Sequence, residues 1–335
     1  MNCSNKKYLV NHYSHIYIET DAFNYPLAKK ILKHFPNSEI IEINHYKDIF
    51  NRSKQDFVLQ KQAQSLILAV NRQEIIYPGA RFCQSFDNEY FYYTSNIMNC
   101  IYDCEYCYLQ GMYPSGNMVI FVNLEDYFHK VCELLSSHSA YICISYDTDL
   151  LAIEHLTGIV QSWIDFTVTH PGLTIEIRTK SMFPVDRLRN CNHPNIIWAW
   201  TLSPEKITAF EHNAPTLDNR ITAINNAINN NCLVRLCFDP MIYTANYKEL
   251  YSECYAHVFS KLPADRIFDV SYGVFRISSD YLKSMRRKRN CLITSYPYEN
   301  INGSCSYEQK KSDEMLNFAR LELSKYISTD RLYGI

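Results

Sequence analysis

Residues 99–110 read NCIYDCEYCYLQ, and the three cysteines in that stretch, Cys100, Cys104 and Cys107, decide how the rest of the chain is read. The spacing C-x3-C-x2-C sets three thiolates on one short loop, close enough to meet at a metal centre. Structural zinc prefers four protein ligands in pairs. Here neither a second CxxC nor a nearby His completes a set, so zinc would need a distant fourth ligand. A [4Fe–4S] cubane asks for one thiolate per iron, and three cysteines leave one iron open to an external ligand. An open iron is what a reaction at the cluster requires.

The loop directly follows a strand-like run at 91–94, and from there strand-like and helical patterns alternate. Further strands are expected at 140–145, 173–178, 196–201, 232–238 and 267–272. Amphipathic helical patterns lie between them at 124–136, 150–168, 185–189, 218–230 and 248–262. Parallel strands need long crossovers, so six such units imply an α/β fold built on a parallel sheet. Six is short of eight, which predicts an open, partial (β/α)6 TIM-like barrel whose active groups collect at the carboxyl ends of its strands. Upstream, strands at 16–19, 40–43 and 65–70 with a helix at 25–35 predict a small N-terminal α/β extension. The expected division is 1–76 for the extension and 77–335 for the barrel, with a C-terminal helix at 308–327 covering the barrel edge. The stretch 291–306, rich in Tyr, Asn and Ser, reads as a mobile surface loop. Its Cys291 and Cys305 are either ordinary thiols or an auxiliary site.

Composition narrows the classes. Hydrophobic residues make up 47% of the 335-residue chain against 20% charged, which excludes a disordered chain. No stretch reaches the roughly 18–20 apolar residues of a membrane helix, and the first 20 residues lack a secretory pattern, so a cytoplasmic location is expected. With 33 Lys and Arg against 35 Asp and Glu, any nucleic-acid contact is confined to a local basic patch. The 13 cysteines are then mostly reduced thiols, with Cys132, Cys232, Cys237 and Cys254 expected in apolar surroundings.

With Tyr106 before the third cysteine, the loop resembles the C-x3-C-x-aromatic-C signature of the radical S-adenosylmethionine (radical SAM) superfamily. The resemblance extends to the spore photoproduct lyase family, through YCYLQ at 106–110, VNLED at 122–126 and DTDLLAIEHLTG at 147–158. It continues through TK at 179–180, LDNRI at 217–221, DPMIY at 239–243 and FR at 275–276, with NYPL at 24–27 upstream. That resemblance implies a DNA-repair lyase. A 5′-deoxyadenosyl radical would abstract hydrogen from a methylene-bridged thymine dimer, 5-thyminyl-5,6-dihydrothymine, and the dimer would revert to two thymines. It implies that Cys100, Cys104 and Cys107 ligate the cluster, and that Tyr106, Thr148, Asp149, Lys180 and Thr201 line the S-adenosylmethionine pocket. Damaged DNA and an electron donor such as flavodoxin or ferredoxin are the implied partners, with no membrane partner.

The family also uses a cysteine to return hydrogen to the product, with a tyrosine beside it as relay. The common pattern has that cysteine three residues before Asp149, where this chain has Tyr146. Cys83, in RFCQSF, is the first candidate to replace it. Cys143 is the second, although strand alternation would turn it to the face opposite Tyr146. Tyr108 fits the relay position. Arg276 matches a lesion-contacting Arg of the family, and Tyr272 is a candidate to stack on a flipped base. The run LKSMRRKRN at 282–290 is either a solvated helix end or a phosphate contact. Two rival readings remain: the same radical chemistry on another substrate, or an iron–sulfur DNA-binding protein without turnover.

Overall fold

The alternation from residue 91 onward becomes a single parallel sheet. The structure, a computed structural model, describes residues 13–79 and 83–335. Phe91–Thr94, Ala140–Cys143, Leu173–Thr179, Ile196–Thr201, Leu233–Met241 and Asp269–Val274 lie side by side in chain order, all parallel. Leu332–Gly334 adds a parallel strand at one edge, and Ile76–Pro78 an antiparallel strand at the other. The edges do not pair with each other, so the sheet is open.

Strand periodicity gives this sheet two unlike faces. Ile142, Ile175, Ile177, Trp198, Trp200, Val234, Leu236 and Val270 form one face and are completely buried. Helices Ile159–Val168, Leu217–Asn229 and Gln309–Leu323 pack against it, and Tyr255 of the helix Tyr247–Lys261 meets Phe238 edge-on at 4.8 Å between centroids. Each aliphatic side chain there contributes about 1.5–3 kcal/mol relative to exposure. The alternate positions, Tyr141, Glu176, Arg178, Arg235, Cys237 and Asp269, turn to the inner face and are mostly polar.

The N-terminal sheet holds Glu39–Ile43, His15–Glu19 and Leu66–Ala69 in that order. It then takes in Met118–Phe121, a buried apolar run that the sequence reading did not assign to a strand. Ile97–Met98 pairs antiparallel with Met118–Phe121, Ile97 opposite Ile120 and Met98 opposite Val119. The cysteine loop therefore connects two paired strands of the N-terminal sheet, which fixes both its ends.

Three local expectations are corrected. The helix expected at 150–168 is broken at Gly158, whose φ of +69° sits between Glu154–Thr157 and Ile159–Val168. A Cβ there would also lie 2.3 Å from Lys30 Nζ. The stretch 291–306 is an ordered helix and hairpin: Glu299–Ile301 turns through Asn302-Gly303, both at positive φ, into Ser304–Ser306, which pairs with Arg276–Ser278. Asn-Gly is the preferred sequence for such a two-residue turn. Cys132 is exposed beside His170 rather than in the core, because the buried face of Leu124–Leu135 is Leu124, Tyr127 and Val131. Cys232, Cys237 and Cys254 are buried. Among the described residues no helix is long and apolar enough to cross a membrane.

Candidate active site

The cysteine loop is held from several sides by its backbone. Asn99, at φ +67°, donates through Nδ2 to the carbonyls of Ser115 and Asn117 at 2.7 and 2.6 Å. Gln64 donates to the Cys100 carbonyl at 3.2 Å and Lys61 donates to the same oxygen. Gln110 donates to the Cys104 carbonyl at 2.6 Å. Part of the basic run also serves this loop. Arg289 pairs with Asp103 at 2.6 Å, and Lys288 donates to the carbonyls of Gln110 and Tyr113 at 2.7 and 2.5 Å. Arg286 is spent on the carbonyls of Thr294 and Tyr296. Gly111 permits this clasp, since a Cβ there would fall 2.5 Å from Tyr281 on the helix Ser279–Lys288.

Cys100, Cys104 and Cys107 are free thiols lining one small cavity with Phe57, Lys61 and Asn99. Burial pushes Cys100 up to about 11 and Cys107 up to about 12, and it raises Cys104 as well. Among the described residues no three His, Cys, Asp or Glu side chains are arranged to hold a single ion. A cubane makes a different demand, one thiolate at each of several irons.

Next to the loop lies a charge cluster at the carboxyl ends of the strands. Lys180 Nζ is 2.8 Å from Glu211 Oε1, 3.3 Å from the Tyr106 hydroxyl and 3.4 Å from Cys104 Sγ. It also lies 5.3 Å from the Tyr106 ring centroid. Glu211 accepts from Tyr106 and Arg220, and from Ser203 Oγ at 3.3 Å. Burial opposes the charge on Glu211, but Lys180 and Arg220 outweigh it and hold the carboxyl at about 2. Asp149 accepts from Thr179 Oγ1 at 2.7 Å, Lys180 N at 2.6 Å and Ala152 N at 3.1 Å. Its carboxylate thus fixes the start of the Lys180 segment. Thr201 is buried at its strand end, and its carbonyl accepts from Arg220 at 3.0 Å. The Thr148 hydroxyl is buried without a hydrogen-bond partner. An orphaned hydroxyl next in sequence to the carboxylate that fixes the Lys180 segment suits a polar ligand that supplies the missing bond.

Sequence reasoning missed Glu211 and Arg220 as site residues. Arg220 had a usable signal: it lies on the apolar stripe of Leu217–Asn229 with Leu217, Ile221 and Ile224, where an arginine must be paired. Glu211 had none, because only folding brings its two-residue strand against Asp103–Cys104.

A second cluster lies on the other side of the tyrosine that follows the loop. Cys83 Sγ is 3.7 Å from the Tyr146 hydroxyl, and the Tyr146 ring stacks on Tyr93 at 4.0 Å. Tyr108 donates to the Tyr146 carbonyl at 2.6 Å and to Asp147 at 3.2 Å, while Tyr113 donates to the same Asp147 at 2.8 Å. Burial raises the Cys83 thiol against the Tyr146 hydrogen bond and the charges of Arg178 and Arg276, so it stays protonated near neutral pH. Arg276 thereby borders this cluster, and it pairs with Asp239 at 3.2 Å.

Two expectations about faces are corrected here. The alternation that set Cys143 opposite Tyr146 does not carry through: the strand ends at Cys143 and Ser145 bridges to Ser95, so the chain is no longer one continuous strand between them. Tyr272 does not reach the mouth. It belongs to the helix-covered face, packed under Gly334 and near Tyr255 and Arg320.

The comparisons agree with this architecture. Residues 12–331 match the family "Spore photoproduct lyase". The spore photoproduct lyase of Clostridium acetobutylicum is 24% identical over 291 residues, covering 83% of this chain and 82% of its own. That of Bacillus subtilis is 22% identical over 325 residues, covering 93% and 89%. A spore photoproduct lyase complexed with dinucleoside spore photoproduct superposes with a TM-score of 0.79 at 17% identity, covering 96% of this chain and 98% of that one. A mutant with bound AdoMet and dinucleoside spore photoproduct gives 0.78 at 18% identity with the same coverage. The mixed α/β fold is therefore shared, and with a match spanning nearly all of its length the chain belongs to the spore photoproduct lyase family.

Proposed function

We propose that this protein is a radical SAM lyase that reverses spore photoproduct in DNA to two thymines. The observation that carries the reading is the meeting of three free thiols, the Lys180–Glu211 pair and the orphaned Thr148 hydroxyl at one end of a parallel sheet. The six strands would form a partial (β/α)6 barrel within residues 77–335, with residues 1–76 as the extension that roots the cysteine loop. Cys100, Cys104 and Cys107 would hold a [4Fe–4S] cluster. When bound, the cluster and S-adenosylmethionine supply the 5′-deoxyadenosyl radical that starts the reaction.

The residues of the chain would do the rest. Lys180, protonated beside Glu211, would meet the methionine carboxylate, and Thr148 and Thr201 would offer hydroxyls to the nucleoside. Tyr106 and Asp149 would hold Lys180 in place rather than bind the nucleoside themselves. Cys83, kept as a thiol by burial, would return hydrogen: its S–H bond breaks, a C–H bond forms on the product thymine radical, and the unpaired electron passes to sulfur. The Tyr146 hydroxyl would restore that S–H bond by breaking its own O–H, and the unpaired electron left on its ring would pass to Tyr108, which gives up its phenolic hydrogen and whose ring lies 5.8 Å away. Cys143, at the end of its strand, would be the reserve donor. Arg276 would contact the lesion at the rim, and a small redox protein would deliver the electron.

Anaerobic reconstitution followed by incubation with dinucleoside spore photoproduct tests the reading. Near four irons per chain, 5′-deoxyadenosine and released thymine are expected together. Stoichiometric zinc without 5′-deoxyadenosine would remove the radical chemistry, and 5′-deoxyadenosine without thymine would remove this substrate. Cys83→Ala should divert turnover to abnormal adducts; unchanged clean repair would take Cys83 out of the mechanism.

A further inference from the structure

The inner face of the sheet carries a group that the proposed chemistry does not use. Arg235 donates to both oxygens of Asp269, at 2.5 and 2.6 Å, and through Nη1 to the Tyr141 hydroxyl and Glu176, each at 2.6 Å. These residues come from four different strands, and every one is buried. Each guanidinium nitrogen is paired along its edge, and the Phe86 ring covers the flat face with 3.2 Å from the guanidinium carbon to the ring centroid.

Phe86 is three residues from Cys83. It adopts φ +52° and Asp87 φ +60°, a region that bulky side chains rarely enter unless their surroundings impose it. The same segment reaches the strand Leu332–Gly334 at the far edge of the sheet. Phe86 meets Tyr333 edge-on at 5.2 Å, and Gln84 donates to the Gly334 carbonyl at 3.2 Å. Asn88 ties the turn together by donating to the carbonyls of Ser85 and Phe86 at 2.8 and 3.1 Å. The segment thus leans on both the buried arginine and the opposite edge strand.

We propose that the Arg235 platform and the strand Leu332–Gly334 form a seat that holds the Cys83 thiol at Tyr146, making Phe86, Arg235 and Tyr333 positioning residues for hydrogen return. This rests on the reading of Cys83 as the hydrogen donor. Its consequence is specific: loosening the seat should leave radical generation in place and spoil how the radical is quenched.

Two measurements on Phe86→Ala and Tyr333→Ala test it. In the lesion assay, thymine released per 5′-deoxyadenosine should fall several-fold in Phe86→Ala, with abnormal adducts rising, and Phe86→Tyr should restore the ratio. Tyr333→Ala, at a partly exposed position, should move the ratio the same way by less. Independently, alkylation of Cys83 in the cluster-free protein, followed by peptide mass spectrometry, should be several-fold faster in both alanine variants. An unchanged ratio with unchanged alkylation overturns the seat. If Cys83→Ala itself repairs cleanly while alkylation still accelerates, the seat stands and the donor assignment falls.

Discussion

Two charge clusters border one sheet, one on its inner face and one at the carboxyl ends of its strands, and they are finished to different degrees. In the Tyr141–Glu176–Arg235–Asp269 group every nitrogen of the arginine has a partner and an aromatic ring closes its open side. In the Lys180–Glu211–Arg220 group, nearer the carboxyl ends, the neighbouring Thr148 hydroxyl has no partner and a cysteine thiol stands 3.4 Å from the ammonium. Both clusters hold a glutamate at about 2, with burial opposing the charge and arginine or lysine overcoming it. The difference is in what is left over. A saturated network fixes geometry, whereas one with spare bonds is prepared for a ligand.

The largest expected effect attacks the saturated cluster. Arg235→Met leaves Asp269 buried without its partner and Glu176 with Arg178 as its remaining cation, and should cost about 3–5 kcal/mol in urea unfolding. A loss below about 1 kcal/mol would mean that this network is not the structural half of the comparison.

Acid sensitivity should be shared by both clusters. A carboxyl held low in the folded state contributes stability that is complete above its unfolded value near 4.5 and lost as pH falls toward about 2. Glu176→Gln and Glu211→Gln should each flatten the acid limb of stability over that window, by up to about 3 kcal/mol. If only one variant changes the limb, the two clusters are not electrostatic equivalents.

The smallest effect on stability is expected at Thr148. Thr148→Val removes a hydroxyl that bonds nothing in the protein, so urea unfolding should move by less than about 1 kcal/mol. Calorimetric titration with S-adenosylmethionine should nevertheless show several-fold weaker binding in the reconstituted protein. Unchanged affinity would remove Thr148 from the pocket and narrow the difference between the clusters.

The basic run shows how a local pattern misleads. On the sequence, LKSMRRKRN is a solvated helix end or a phosphate contact; in the fold, Lys288 and Arg289 clasp the cysteine loop and Arg286 caps carbonyls of the following segment. The hairpin at Asn302-Gly303 is the opposite case. Its turn signal stood in the sequence, and the surrounding polar composition obscured it.

By itself the sequence determined the cysteine triplet, the order of the six parallel strands and most of their crossover helices; the helix expected at 185–189 is only a 3₁₀ turn, Val185–Arg187. All of these depend on spacing and periodicity within a segment, which the chain carries locally. Only the tertiary structure decided that the strand ends at Cys143, so that Tyr146 and Cys83 meet. It also decided that Tyr272 faces the helices, that Met118–Phe121 joins the N-terminal sheet, and that Glu211 reaches Lys180. Each of these follows from pairings between residues far apart in the chain: alternation tells which residues share a face, but where a strand stops and what lies beside it are set by its neighbours.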